Sequence, residues 1–103
     1  KFPNVTCKVG GLGMPRCGWD FHLRETPPAS EELAAAWRPY IETCIEAFGS
    51  KRCMMESNFP VDKNTCGYAV LWNALKRITQ GCSMEEKAAL YRDTAARVYR
   101  LAI

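Results

Sequence analysis

The sequence predicts an α/β fold that contains two parallel strands. Its 103 residues are enough for one domain only. The apolar segments follow the order strand, long loop, helix, strand, loop and helices, and a helical crossover between two strands is typical of parallel pairing with right-handed winding. Two parallel strands are not stable alone, because such sheets need neighbouring strands at their edges and cover on both faces. We therefore expect the chain to be one part of a larger sheet.

The first predicted strand covers residues 4–9, whose alternating and β-branched pattern is Asn-Val-Thr-Cys-Lys-Val. The glycines of residues 10–13 end this strand in a loop, where we expect them to permit a tight turn. Residues 15–29 form a long irregular connection, since four residues that break helices and strands interrupt it: Pro15, Gly18, Pro27 and Pro28. Connections of this length in compact domains are usually functional or mobile.

A long helix follows this connection. Ser30 is its predicted N-cap, and Glu31 and Glu32 lie in the first turn, where the helix dipole favours acidic side chains. Gly49 ends the helix. Pro39 interrupts the helical pattern, so we expect a kink or two abutting helices there. Apolar residues recur at helical spacing along the segment: Leu33, Trp37, Ile41, Cys44, Ile45 and Phe48.

The second half of the chain repeats the order strand, loop and helix. Residues 52–59 form the second predicted strand, which Pro60 closes. The next helix ends at Gly81, and Ser83–Glu86 has the pattern of a capping box that begins the following one. One or two closing helices complete the chain, with a break expected near Asp93–Thr94. The apolar stripe predicted for the first of these helices consists of Tyr68, Leu71, Leu75 and Ile78. The apolar positions of the closing helices are Leu90, Tyr91, Ala95, Val98, Leu101 and Ala102. Trp37 and Trp72 are predicted to pack in the core.

Composition and charge exclude several classes of protein. Hydrophobic residues make up 48% and charged residues 24% of the chain, which is typical of a folded globular domain. The net charge of +3 is spread along the chain without runs of more than two like charges, so we expect neither nucleic acid nor a membrane as a partner. No apolar stretch approaches the roughly 20 residues of a membrane-spanning helix. We expect a cytoplasmic protein because its cysteines are predicted to be free thiols, which a reducing compartment preserves. The sequence starts at Lys1 without a visible targeting segment, so we expect it to begin inside a longer protein.

Six cysteines predict buried free thiols. None forms a CxxC pair, and the single histidine, His22, cannot complete a Cys/His zinc site of normal spacing. Cys7 and Cys53 lie in predicted strands and Cys44 on a helix face, where a thiol behaves as a small hydrophobe. The alternative is a secreted disulfide domain, which the even count and the glycosylation sequon at Asn4 would suit.

Three segments resemble the amidohydrolase superfamily, in its lactonase-like branch. Residues 4–14 look like the seventh strand and following loop of these proteins, and residues 47–60 look like the eighth strand. Residues 93–101 are similar to the C-terminal helix, and the most specific motif is Glu-Ser-Asn-Phe-Pro-Val-Asp at residues 56–62. Because the family consists of (β/α)8 barrels, the resemblance implies that residues 1–103 are one partial domain. This domain would be the last two βα units of a TIM barrel, with strands 7 and 8 and the closing helices.

The resemblance also implies a hydrolase. The full-length parent would cleave a small cyclic ester, such as a lactone, or an amide-type carboxylate compound with activated water. The superfamily includes decarboxylases as well, so the bond that is cleaved stays open. A barrel site is assembled from several strands, and the metal-binding histidines of the family's earlier strands are not in this sequence. We therefore expect the 103-residue chain to supply part of the site and to be inactive alone.

Partners follow from the same resemblance. The parent would bind a small-molecule substrate, and a homo-oligomer is left open. The alternative function is a non-catalytic remnant that acts as a small protein-interaction module through its open strand edge and apolar helix faces.

Asn58 and Asp62 are the expected catalytic residues of this part of the barrel. The family has an aspartate at the end of the eighth strand, as a metal ligand or general base, and by motif position this residue is Asn58. An amide cannot take up a proton and is a poorer metal ligand than a carboxylate. Metal-free hydrolysis, a binding role for Asn58 and transfer of the base role to Asp62 are left open. In the structural alternative, Asn58 hydrogen-bonds a strand end and Asp62 caps a turn.

The cofactor is left open for the same reason. A divalent metal is compatible with the full-length parent but disfavoured by the asparagine, and we assign no metal ligand in this chain.

His22 and Arg24 are the expected substrate-binding residues. Both lie in the long loop after the first strand, which would lie over the mouth of a barrel. Histidine titrates near neutral pH, and an arginine can hold a carboxylate in a bidentate fork. In the structural alternative, the two side chains only contact solvent or neighbouring loop residues.

Lys8 and Glu56 are predicted to form a structural ion pair. Side chains alternate along a strand, so Met54, Glu56 and Asn58 would share the face that points into the barrel. Lys8 would share that interior from the neighbouring strand, and a buried charge needs a partner. We expect a pair at the barrel floor, and a catalytic role is the less favoured alternative.

Overall fold

The computed structural model describes residues 3–14 and 17–102. Two short strands, β1 (Cys7–Val9) and β2 (Cys53–Met55), pair in parallel with Cys7 opposite Cys53. The predicted parallel pairing is therefore confirmed. Both strands are shorter than the predicted segments 4–9 and 52–59. At the start of β2 the reason is a 3-10 turn at Ser50–Arg52, which takes up the first predicted residue.

β2 ends early because the chain leaves the sheet after Glu56. The Glu56 N–H still donates to the Val9 carbonyl at 3.1 Å, but Asn58 has a left-handed backbone with φ of 56°. The strand alternation expected from Met54 to Asn58 therefore stops at Glu56. Asn58 belongs to the following loop.

One continuous helix, α1 (Ser30–Phe48), runs between the two strands. A kink or two abutting helices were expected at Pro39. The second alternative is wrong, because the helix and its buried face continue across this position, while the kink stays a prediction. The predicted cap is also wrong: Ala29 is the N-cap, and Ser30 is the first helical residue. The Ser30 hydroxyl donates to Glu31 instead. The buried face consists of Leu33, Ala34, Trp37 and Ile41.

A second helix, α2 (Tyr68–Ile78), packs against α1. It ends three residues before the predicted Gly81, where Thr79 caps it through the carbonyl of Leu75. Three of the four predicted stripe residues are buried, but Tyr68 is exposed at the start of the helix. Arg38 of α1 donates to the carbonyl of Ile78, which ties the two helices together at this end.

The closing segment is a run of helical turns over residues 84–98. It consists of α3 (Met84–Ala88), a π-helical turn (Ala89–Asp93) and α4 (Thr94–Val98). The predicted capping box is confirmed, since the Ser83 hydroxyl accepts from the Glu86 N–H at 3.0 Å and Glu86 accepts from the Ser83 N–H. The break expected near Asp93–Thr94 is absent: both residues keep right-handed helical backbone angles, and only the change from the π-helical turn to α4 occurs there.

The hydrophobic core lies between one face of the sheet and the helices α1 and α2. Trp37 is 2% exposed, as predicted for a core residue, whereas Trp72 is only partly buried. At the C-terminal end the predicted apolar positions Val98 and Leu101 are exposed. The largest members of this core are Trp37, Leu33, Ile41, Leu71, Leu75 and Leu90.

All six cysteines carry free thiols in the structure. Cys53 and Cys66 are buried, and the other four are half-buried, so the expected burial holds fully for two of the six. Three of the thiols lie close together on the core side of the sheet, those of Cys7, Cys44 and Cys53. Burial, together with the other two thiols, raises the pKa of Cys7 to about 12, so this thiol is held in its neutral form.

The long connection between β1 and α1 contains a 3-10 turn at Phe21–Leu23. Pro15, which was predicted to interrupt this connection, lies outside the described residues. None of the helices described between residues 3 and 102 is long and apolar enough to cross a membrane.

Candidate active site

The candidate active site lies where the loops after the two strands meet. In parallel sheets, ligands bind beyond the carboxyl ends of the strands. Here the loop of residues 10–14 follows β1, and the segment of residues 56–65 follows β2. Because the strands are parallel neighbours, both loops leave the same edge of the sheet.

Asp62 joins the two loops. Its carboxylate accepts a hydrogen bond from the Asn58 side-chain amide at 2.9 Å with one oxygen and from the Gly13 N–H at 3.1 Å with the other. The Thr65 hydroxyl adds a further bond by donating to the carbonyl of Gly13. We call this set of four residues the clasp. It fixes the β1 loop against the β2 loop through buried polar contacts.

Asn58 is held by both its backbone and its side chain. Its carbonyl accepts from the Asp62 N–H at 3.1 Å, which closes a turn, and its φ of 56° is one that asparagine tolerates better than most residues. Only the Nδ2 of an asparagine amide can donate to a carboxylate, so the contact with Asp62 fixes which way the amide faces. As a whole residue, Asn58 is half-buried.

Two glycines allow the loops to approach this closely. A Cβ on Gly13 would lie 2.8 Å from the Asp62 Oδ2, and a Cβ on Gly10 would lie 2.7 Å from the carbonyl oxygen of Glu56. Real Cβ atoms do not come this near to oxygen atoms, so no side chain fits at either position. These glycines therefore permit contact between loops, in addition to the turn that the sequence predicted.

Burial dominates the electrostatics of Asp62. The residue is 1% exposed, and burial raises the pKa of its carboxyl group, while the hydrogen bonds from Asn58 and Gly13 act in the opposite direction. The expected role of Asp62 as a base that activates water stays a prediction. Its burial and its two hydrogen bonds argue against direct contact with a substrate.

Lys8 and Glu56 form the ion pair that was predicted between the neighbouring strands. Lys8 Nζ lies 3.3 Å from Glu56 Oε2, and this contact raises the pKa of Lys8. The expected burial is not present in this chain, since the side chains are 57% and 24% exposed. The pair lies on the sheet face opposite Val9 and Cys53, which pack into the core.

Among the described residues, the structure does not connect His22 or Arg24 to the clasp. His22 is half-buried in the 3-10 turn, and Arg24 forms an ion pair with Glu32 of α1 and lies over the ring of Phe21. Within the described part of the chain, no hydrogen bond or ion pair joins either residue to Asn58 or Asp62. Their expected role in substrate binding stays a prediction.

Two spaces adjoin the clasp. The space enclosed beneath it measures about 10 Å³, which is the size of one water molecule and too small for a substrate. An open cleft of about 620 Å³ lies on the outer side of the β2 loop. Its walls include Pro27, Phe59, Pro60, Lys63, Thr65 and Tyr68.

The sequence did not predict the contact between Gly13 and Thr65, which are two members of the clasp. Their contact spans 52 positions in the chain, and neither residue carries a local pattern that points to the other. Gly13 had a signal, as the last glycine of its loop, but it was interpreted as a turn residue.

The described part of the chain shows no group of side chains that could hold a metal ion. Among residues 3–14 and 17–102, no three histidine, cysteine, aspartate or glutamate side chains are grouped so that they could hold an ion. The carboxylate nearest to the expected ligand position is Asp62, and both of its oxygens are engaged in the clasp.

Comparison with known proteins places this geometry in a family. The family model described as "Amidohydrolase" matches residues 1–101. An uncharacterised protein of Sinorhizobium fredii, y4mH, is 46% identical over 99 residues, which cover 96% of this chain and 29% of that protein. The L-fucono-1,5-lactonase of Burkholderia multivorans is 30% identical over 100 residues, which cover 96% of this chain and 31% of the lactonase.

Solved structures give the same result. Two crystal structures of an amidohydrolase from Burkholderia multivorans, one with bound zinc and one with bound HEPES, match with a TM-score of 0.80 and 28% identity. The match covers 97% of this chain and 33% of that protein. The chain therefore spans about a third of the length of the relatives that it matches.

Proposed function

Because the chain belongs to the amidohydrolase family, we propose that it forms the last two βα units of a (β/α)8 hydrolase and supplies one wall of the active site. The clasp carries this proposal. It fixes two loops at the carboxyl ends of neighbouring parallel strands, which is the end of a barrel where active sites are built. Asn58 is a half-buried polar residue of this edge.

The proposed reaction is the hydrolysis of a small cyclic ester by activated water. Support comes from the relative that is named as a lactonase and is 30% identical to this chain over 100 residues. In this proposal Asn58 contacts the substrate, and Asp62 acts through Asn58 and the β1 loop. His22 is a further proposed contact from the long loop. Arg24 would have to leave its ion pair with Glu32 in order to bind a substrate carboxylate.

The isolated chain is proposed to be inactive. Two strands of three residues provide only one side of a barrel, and catalytic groups in such barrels come from several strands. We further propose a small-molecule substrate and a cytoplasmic location, where the six free thiols would persist.

A chimera tests this function. The chain replaces the matching segment of the Burkholderia lactonase, and hydrolysis of L-fucono-1,5-lactone is followed by proton release. We expect the chimera to hydrolyse the lactone, while the isolated chain and a lactonase without its matching segment do not. A chimera that folds but has no more activity than the truncated lactonase would overturn the proposal. Lactone hydrolysis by the isolated chain would contradict the proposal that this chain is inactive alone.

A small protein-interaction module is the second candidate. It is favoured by apolar side chains that are exposed in this chain, notably Met84, Leu23 and Leu101. Sedimentation of the purified chain separates the two candidates. A stable monomer that does not restore activity to the truncated lactonase when added in trans favours the module, whereas restored activity favours the hydrolase.

A further inference from the structure

One buried hydrogen-bond donor has no acceptor among the described residues. It is the Nε1–H of Trp37, and within residues 3–14 and 17–102 it is the one buried side-chain nitrogen or oxygen for which this holds. Trp37 is almost fully buried in the core, so bulk solvent does not reach this group. Nearly all buried polar groups in folded proteins have a hydrogen-bond partner, and an indole N–H can only donate. The partner of Trp37 therefore has to be an acceptor.

Trp37 also lines the cavity of about 10 Å³ beneath the clasp. A space of this size holds one water molecule and nothing larger. Glu56 and Asp62 lie on the same wall, and the other side chains that line the cavity are aliphatic. Small cavities with polar groups on their walls bind water, whereas purely apolar ones stay dry. A water molecule in this cavity would give the indole N–H its acceptor.

Asp62 is the group on the cavity wall that best accepts a hydrogen bond from such a water. It is 1% exposed, and in the clasp each of its carboxylate oxygens accepts one hydrogen bond, from Asn58 and from the Gly13 N–H. A carboxylate oxygen can accept two, so Asp62 retains acceptor capacity that bulk solvent does not fill. The Glu56 carboxylate, in contrast, is partly exposed and already paired with Lys8.

We propose that the cavity binds one water molecule, which accepts a hydrogen bond from the Trp37 Nε1–H and donates one to the Asp62 carboxylate. Trp37 belongs to α1, so this water links the helix to the clasp and through it to both loops. Trp37 is then a positioning residue for Asp62 as well as the largest side chain of the core. The water site does not depend on the proposed reaction, because it lies among buried residues of this chain.

NMR of the full 103-residue chain tests the contact between water and the indole. We expect a dipolar cross-peak between water and the Nε1 proton of Trp37, with the opposite sign in the rotating frame from a chemical-exchange peak. None of the residues that line the cavity carries a hydroxyl group, so relay through a hydroxyl proton does not produce this peak. The peak should persist in Trp72→Phe, which is the matched control. A folded chain whose Trp37 indole proton shows no dipolar contact with water would overturn the proposal.

The link to Asp62 is tested by measuring the cost of Trp37→Phe in three backgrounds. Urea unfolding gives the factor by which Trp37→Phe increases the unfolding equilibrium constant. We expect this factor to be at least about threefold smaller in Asp62→Asn than in the wild-type chain, because coupled residues are not additive. Thr65→Val is the control background, since Thr65 binds Gly13 in the same clasp without lining the cavity. The same factor in all three backgrounds would mean that Trp37 only packs, and would reject the link.

A crystal structure of the chimera with the lactonase covers the case in which one of these variants does not fold. We expect one ordered water within hydrogen-bond distance of both the Trp37 Nε1 and an Asp62 oxygen. A cavity without ordered water, or a water that contacts Trp37 but not Asp62, would contradict the proposal. Neither result depends on whether the chimera hydrolyses a lactone, so the water site and the proposed function fail independently.

Discussion

The clasp and the ion pair of Lys8 with Glu56 both link the segments around β1 and β2, and they differ mainly in burial. Asp62, at the centre of the clasp, is almost fully buried and has both carboxylate oxygens hydrogen-bonded, whereas the ion pair of Lys8 with Glu56 lies on an exposed face. A buried, fully paired carboxylate is costly to disturb, while an exposed ion pair contributes little because water solvates both charges. The comparison shows that the loops beyond the strands, rather than the charges between them, carry the polar stabilisation of this fragment.

The largest expected effect concerns the thiol of Cys7. Cys7 precedes Lys8 in β1, and its side chain points to the core side of the sheet, opposite to that of Lys8. Burial and the neighbouring thiols raise its pKa to about 12, from 9.0 for an ordinary cysteine. We expect alkylation by iodoacetamide at pH 8 to be on the order of a thousandfold slower in the folded than in the unfolded chain, because only the thiolate reacts. Mass spectrometry of time-quenched samples measures the rate, and similar rates in water and in urea would show that this face is open.

Asp62→Ala tests the buried contact directly. It leaves the Gly13 N–H and the Asn58 amide without their acceptor, so we expect a loss of about 3 kcal/mol in the free energy of unfolding, as for hydrogen bonds to a buried charged group. Urea unfolding followed by tryptophan fluorescence measures it. Asp93→Ala is the exposed control. If Asp62→Ala lowers the free energy of unfolding by less than Asp93→Ala does, the buried contact is not the stronger one and the contrast with the exposed ion pair fails.

Gly13→Ala tests how closely the two loops approach. The added Cβ would lie 2.8 Å from the Asp62 Oδ2, so the clasp has to open. We expect a loss of about 2 kcal/mol by overpacking, measured by the same urea unfolding. Gly81→Ala is the matched control, because nothing lies within 4 Å of a Cβ at that position and its stability should be unchanged within error. Equal effects of both substitutions would contradict the close approach.

The pH dependence of stability sharpens the same point. Burial raises the pKa of Asp62 in the folded chain, so the folded state holds this proton more tightly than the unfolded state. The measured quantity is the free energy of unfolding of the wild-type chain minus that of Asp62→Asn. This difference should increase as the pH falls from the raised pKa to the ordinary value of about 4, and decrease as the pH rises through the same range. The slope cannot exceed about 1.4 kcal/mol per pH unit. A relative stability that grows with rising pH would mean that the hydrogen bonds outweigh the burial.

Lys8→Ala is expected to have the smallest effect. The ion pair is exposed, so the urea midpoint of the isolated chain should not change measurably. In the chimera with the lactonase, this face would point into the barrel, and the same substitution should lower the melting temperature because Glu56 loses its buried partner. An equal effect in the isolated chain and the chimera would argue against a position inside a barrel.

Local patterns in the sequence predicted much of the fold. The parallel strand pair, the main helices and the capping box at Ser83 depend on alternation, helical spacing and cap residues, which are properties of neighbouring positions. The Lys8–Glu56 pair was predictable for the same reason, since strand alternation and parallel pairing together bring the two side chains to one face.

The sequence-based predictions were wrong where contacts between distant parts of the chain, rather than local patterns, determine the structure. Pro39 does not divide α1, because the apolar face on both sides of it packs against one partner helix. β2 ends at Met55 because the left-handed backbone of Asn58 turns the chain towards Asp62, which no strand pattern signals. Asn58 and Asp62 were identified from a family resemblance, but their mutual hydrogen bond was not predicted.

The sequence by itself determined the fold class, the family and the two residues at the centre of the candidate site, because periodicity and a motif of seven residues are local information. Only the tertiary structure decided what these residues do to each other. The contact of Asp62 with Gly13 spans 49 positions, and it exists because two loops leave the same edge of a parallel sheet. Asp62 was expected to act as a base or to cap a turn; burial at that edge and its two hydrogen bonds make it an anchor for the Asn58 amide and the Gly13 N–H.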